Sequence, residues 1–298
     1  MCGIVGLFLK DATLEPHLGA LLTDMLITMT DRGPDSAGIA IYGRPTPGRA
    51  KLTVQSARPD RDFPNLADDL SRAIAATVTA EIKDTHIVLD VPTDEIDAAR
   101  GALRGLRPEA RVMSAGTGIE IYKEVGLPRD VAARFDLAQM TGTHGIGHTR
   151  MATESAVTTL GAHPFSTGPD QCLVHNGSLS NHNTVRRTLR AAGMTFETEN
   201  DTEVAAAFLS HKLHEGAALG DAMAATLTDL DGFFTFVVGT RNGFGVVRDP
   251  IACKPAVMAE TDRYVAFGSE YRAMVGLPGI DAARVWEPEP ATVYFWER

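Results

Sequence analysis

The sequence predicts a layered α+β body carrying a small α/β insertion, on three observations. Strand-length apolar runs recur along the chain, helical stripes are few and clustered, and helices alternate with strands only between residues 65 and 126. Residues 3–9 (GIVGLFL) read as a strand buried on both faces. From Leu14, the positions Leu18, Leu21, Leu22, Met25, Leu26 and Met29 follow a helical stripe, which the RGPDS turn ends at Arg32 to Ser36. GIAIYG (38–43) and KLTVQSA (51–57) then read as strands around the Pro/Gly-rich turn GRPTPGR. Within 65–126 the pattern predicts a helix over 66–82, a strand over 86–91, a helix over 93–106, and the strands RVMSA and GIEIYKEV. Further strand runs follow: THGIGHTR, QCLVHNG, FFTFVVGT, GFGVVRD, PAVMAE, YVAFGSE and ATVYFWE. Helical stretches near 180–192 and 201–216 separate them.

The chain has 298 residues, 44% hydrophobic and 22% charged, enough to bury a sizeable core without staples. With 28 Lys plus Arg against 38 Asp plus Glu, its net charge of −10 disfavours nucleic acid as a partner. Its 3 cysteines, Cys2, Cys172 and Cys253, form no C-x-x-C pair and suit a reducing compartment, so a cytoplasmic location is expected and no metal site. No apolar run approaches the roughly 18 to 20 residues of a membrane span, and the start lacks a signal peptide's basic region. Neither a phosphate-binding loop nor a dinucleotide fingerprint is present.

The most informative residue is Cys2. Removal of Met1 would leave it N-terminal, with an amine beside its thiol. An α-amino group titrates near about 7.7 to 8.0, against about 10.4 for lysine, so it can act as a base at neutral pH. One residue would then supply both nucleophile and base. In isolation Cys2 would read as a small apolar residue opening a strand, and the surrounding motifs decide otherwise.

MCGIVG at the start, RGPDSAG at 32–38, GHTRMAT at 147–153, AHPF at 162–165, VHNGSLSN at 174–181, NDTEV at 200–204 and RDPIACKP at 248–255 occur in one order. With cysteine in second position, this set resembles the class II glutamine amidotransferases, which are N-terminal-nucleophile hydrolases. The resemblance covers most of the chain. It implies a four-layer αββα sandwich, a single amidotransferase domain over 1–298, and the 65–126 segment as an inserted subdomain. It also implies Cys2 as nucleophile, with Asn176 and Gly177 as the oxyanion hole. Arg150 would take the α-carboxylate of glutamine or glutamate by a two-pronged contact, and Asp201 its α-ammonium.

Each of these residues also has an ordinary structural reading. Asn-Gly is a common hairpin turn, an arginine at a strand end is often a surface ion-pair partner, and an aspartate opening a helix is often its N-cap. His163 reads as a structural hydrogen-bonder, and His148 and His175 take no separate role. Two departures from the family pattern stand out. Met151 replaces a commonly aromatic residue and is followed by Glu154, and Cys2 lies roughly twice as far from Arg150 as in family members, the excess coinciding with 65–126.

The expected activity is formation of a γ-glutamyl thioester on Cys2 with release of ammonia. The chain most resembles the amidotransferase subunit of glutamate-synthase-related assemblies, especially N-methylglutamate synthase. That likeness implies synthase subunits as partners in a hetero-oligomer. It implies no cofactor on this chain, any FMN or iron–sulfur cluster belonging to those partners. Two alternatives remain: a stand-alone amidohydrolase of another amide, and a non-catalytic or glutamate-binding scaffold of the complex.

Overall fold

The computed structural model describes residues 2–152 and 156–298; Met1 and residues 153–155, Glu154 among them, lie outside the described residues. The chain opens with β1 (Gly3–Leu9), α1 (Leu18–Thr28), β2 (Ser36–Tyr42) and β3 (Arg49–Gln55). Next come α2 (Pro59–Asp62), α3 (Leu66–Ile74), β4 (Thr79–Lys83), β5 (His86–Pro92), α4 (Ile96–Leu106), β6 (Arg111–Gly116) and β7 (Ile119–Val125). The central part holds α5 (Pro128–Arg134), β8 (His144–Arg150), β9 (Cys172–Leu179), α6 (His182–Ala191), α7 (Asp201–His214) and α8 (Leu219–Asp229). It closes with β10 (Gly232–Gly239), β11 (Gly243–Arg248), β12 (Val257–Glu260), β13 (Tyr264–Gly268), β14 (Arg284–Trp286) and β15 (Thr292–Glu297).

Two antiparallel sheets make the body, one ordered β14-β12-β13-β1-β8-β2-β7 and the other β15-β11-β10-β9. The period-2 alternation of side chains in a strand divides each strand between two cores. On β1, Ile4 and Phe8 face the space between the sheets, where they meet Val174, Val237 and Phe244. Val5, Leu7 and Leu9 face the other way, onto Leu18, Leu22 and Leu26 of α1. The second sheet does the same: Phe234, Phe236 and Val238 pack on Val204, Phe208, Ala222 and Met223 of α7 and α8. The result is the expected four-layer αββα sandwich, helices outside and sheets inside.

The third sheet, β4-β5-β3-β6, is covered by α3 and α4 around Leu52, Val54, Leu66, Leu70, Leu89 and Leu103. It does not end at residues 65 and 126. β3 belongs to it although it precedes residue 65, and β7, inside that range, pairs with β2 in the main sheet. The helix expected over 66–82 stops at Ile74, because Ala75 adopts a left-handed backbone (φ 54°) and the β-branched stretch after it extends as β4. Helices α5 and α8 and the short strand β14 carry no strong pattern in the sequence and are found only in the structure. Among the described residues no helix is long and apolar enough to cross a membrane.

Phe244 is fully buried between the sheets, stacked on Phe8 at 6.2 Å, and a side chain at Gly6 would collide with its ring. Phe244→Ala should therefore cost about 3–5 kcal/mol of stability, visible as a lower midpoint in urea unfolding.

Candidate active site

The head of β1 brings Cys2, half-buried, to the corner where the two sheets meet. Its carbonyl accepts two hydrogen bonds, from Arg32 Nε at 3.0 Å and from Asn176 Nδ2 at 3.3 Å. Arg32 comes from the RGPDSAG turn and is itself anchored to Glu270 at 2.7 Å. The next turn of the chain is equally fixed: Ile4 N donates to Ser269 Oγ and Ser269 N to the Ile4 carbonyl, both at 2.9 Å. Arg32, Ser269 and Glu270 thus hold the candidate nucleophile in place. Arg32 lay within a motif that the sequence had singled out, whereas Ser269 and Glu270 gave no signal.

Asn176 and Gly177 sit inside β9, opposite Thr235 and Phe234 of β10, so they are strand residues and not a hairpin turn. Gly177 has φ 150°, and a Cβ there would fall 1.9 Å from the Phe233 carbonyl oxygen. Glycine is required at this position on both counts. Asn176 is buried, and its amide carries two hydrogens, one of which is used on Cys2.

Arg150 ends β8. Gly3 pairs with Thr149, so continuing that antiparallel register sets Arg150 across from Cys2. It is 7% exposed, and its Nη1 donates to the Ala156 carbonyl at 3.3 Å. The Arg32 turn packs on the same strand end, where Asp35 N donates to the Arg150 carbonyl and Asp35 Oδ2 accepts from Ala152 N. Met151 beside it is partly exposed.

Asp201 is the first residue of α7 but not its cap. The cap is Asn200, whose side chain accepts from Thr202 N at 2.8 Å. This leaves the Asp201 carboxylate for other work: Oδ2 accepts from Leu179 N at 3.0 Å and Oδ1 lies 3.7 Å from His175 Nδ1. Burial opposes its ionisation, yet the contacts with His175 and Leu179 outweigh it and hold the pKa at about 2. Cys2, Asn176 and Arg150 therefore meet at one corner, and Asp201 is tied to that corner through β9.

Behind the corner lies a buried histidine cluster. His148 stacks on His163 at 4.1 Å and its Nε2 lies 3.2 Å from the His175 carbonyl. Thr202 Oγ1 bridges His163 Nε2 at 3.2 Å and His175 Nδ1 at 3.1 Å, placing His163 in a structural hydrogen-bonding role. Burial drives the pKa of His148 down to about 3 and that of His163 well below its ordinary value. Among the described residues no group of three or more His, Cys, Asp or Glu is arranged to hold a metal ion.

Comparison with known proteins follows the same lines. A family model described as a glutamine amidotransferase domain matches residues 148–276. The glutamine amidotransferase-like protein GlxB of Rhizobium meliloti (strain 1021) is 68% identical over 297 residues, covering 100% of this chain and 98% of that protein. Among solved structures, the glutamine phosphoribosylpyrophosphate amidotransferase from B. subtilis superposes with a TM-score of 0.62 at 19% identity, over 99% of this chain and 47% of that one. An allosteric regulatory enzyme of purine biosynthesis gives 0.64 at 19% identity, with the same coverage. The chain spans about half the length of these two enzymes, and at that identity they share the fold alone.

Acid should expose the cost of the buried histidines. His86, His144 and His148 are each held near about 3, mainly by burial, while in the unfolded chain they titrate near about 6.5. Their contribution is complete above pH 6.5 and is lost as pH falls, at about 1.4 kcal/mol per pH unit for each histidine. Urea midpoints measured from pH 8 down to pH 5 should be level at first and then drop; a flat profile would contradict the assignment.

Proposed function

This chain belongs to the glutamine amidotransferase family, and from that premise we propose that it cleaves the side-chain amide of glutamine through a γ-glutamyl thioester on Cys2. Met1 removal frees the Cys2 amine. That amine takes the thiol proton, and the thiolate attacks the amide carbon, forming the C–S bond. The second hydrogen of the Asn176 amide and the Gly177 N–H receive the oxyanion, an arrangement in which one donor is typically worth about 2.7–4 kcal/mol. The C–N bond then breaks, the Cys2 ammonium protonates the departing nitrogen, and ammonia leaves. Water attacks the thioester, returning the thiol and releasing glutamate.

The observation that carries this reading is the Asn176 Nδ2 contact with the Cys2 carbonyl at 3.3 Å, which puts an amide donor on the nucleophilic residue. Arg150 opposite Cys2 and the ionised Asp201 supply the opposite charges that a free amino-acid end requires. We assign the use of the ammonia to partner polypeptides. The sequence likeness points to a glutamate-synthase-like hetero-oligomer, of which N-methylglutamate synthase is the nearest type, with flavin or iron–sulfur chemistry on those partners. A cytoplasmic location fits the unpaired cysteines.

Glutamate release from glutamine by the purified protein, alone and with its co-purifying partners, tests the proposal. Cys2→Ala should lower turnover by at least about 10³-fold, and undiminished turnover in that variant would exclude the thiol mechanism. Intact mass should show Met1 absent; its retention would favour the scaffold reading. Arg150→Lys should chiefly raise KM, because a point charge replaces a planar fork, whereas a lower kcat at unchanged KM would argue against carboxylate binding.

A further inference from the structure

Away from the Cys2 corner, a cavity of about 520 Å³ opens where the third sheet's layer meets the body. That volume suits a small-molecule ligand. One wall is formed by Arg100 and Arg104 of α4 and by Arg111, and the opposite wall by the turn around Glu197 and by Glu203 of α7. Lys123 and Phe165, both buried, close its inner side.

The charges lining this cavity are unevenly spent. Both Glu203 oxygens are used within its own turn, on Glu197 N at 2.7 Å, Thr198 N at 2.8 Å and Thr198 Oγ1 at 2.6 Å. The Lys123 ammonium is clamped by the carbonyls of Leu160, Ala162 and Pro164 at 3.3, 2.8 and 3.3 Å. Arg111 Nη1 donates to the carbonyls of Pro108 and Ala110. Arg100 and Arg104 differ. They stand four residues apart on one face of α4, and among the described residues neither has a carboxylate within ion-pair distance. In a chain of net charge −10, three arginines against two carboxylates make this a locally positive cleft, while burial lowers the pKa of Lys123 to about 7. Burial raises the pKa of Glu197, and Arg111 and Arg104 only partly offset it.

We propose that this cavity binds a small organic dianion carrying a dicarboxylate or phosphate group, gripped by the guanidinium forks of Arg100 and Arg104. Two arginines one helical turn apart, neither in an ion pair at contact distance among the described residues, match two negative charges on one compact ligand. Arg111 adds a further positive charge, and the hydroxyls of Ser166, Thr167 and Thr195 complete a polar lining. The site uses residues from both the inserted layer and the body, so it exists only where the two meet.

Titration calorimetry of the full chain with inorganic phosphate and with succinate, at matched ionic strength, tests the proposal. At least one probe should bind saturably with a Kd below about 10 mM. Phosphate alone would identify a phosphate ester as the ligand class, and succinate alone a dicarboxylate. Arg100→Ala/Arg104→Ala should weaken binding at least about tenfold. Arg129→Ala/Arg187→Ala, which removes the same charge from other exposed positions, should bind as the parent does. Failure of both probes to bind, an unaffected Arg100/Arg104 variant, or an equal loss in the control pair would overturn the site. The readout is binding alone, so it stands apart from the fate of the glutamine reaction.

Discussion

The hydrogen bond between Asn176 and the backbone of Cys2 joins the two sheets at the point where the chemistry is assigned. It can form only because β1 lies at the centre of one sheet while β9 forms the rim of the other. The interlayer packing of Ile4, Phe8, Val174, Val237 and Phe244 sets the distance between those strands. Cys2, Asn176 and Arg150, the residues of the proposed reaction, therefore owe their positions to apolar side chains outside the corner. A methylene lost or gained in that layer would be felt at the corner, because close-packed interiors transmit small displacements.

Charge is distributed with the same economy. Burial keeps His148 and His163 neutral, so they fill space and relay hydrogen bonds without adding positive charge beside the candidate nucleophile. Asp201 keeps its charge despite burial because His175 and the Leu179 amide contact it.

Body strands such as β1 and β10 were legible in the sequence as short continuous apolar runs, because one face lies on a helix layer and the other on the opposite sheet. The candidate residues were legible because their motifs resemble those of a known family, with Cys2 and Arg150 at strand ends, Asn176 and Gly177 inside β9 and Asp201 at the start of α7. What stayed hidden depends on contacts between distant segments. Arg32 acts through a backbone carbonyl, and Glu270 acts only by holding Arg32. Asn200 took the cap that Asp201 could equally have formed, since both residue types suit that position. The bounds of the third sheet were misplaced because β3 and β7 read alike as strands, and only pairing tells which sheet each joins.

The rim position of β9 has one more consequence. A strand with a neighbour on one side only keeps part of its amide hydrogens pointing outward, which in most proteins invites unwanted partners. Among the described residues that margin is met by the bridge between Phe165 and Leu173 and by side chains accepting from His175 N and Leu179 N, and it carries Gly177 between them. A further strand laid beside β9 would consume the Gly177 N–H assigned to the proposed oxyanion hole, so the proposed chemistry disfavours widening the second sheet on that side. The chain's additional mass enters instead between β2 and β7, at the far margin of the other sheet, where growth leaves the Cys2 corner untouched.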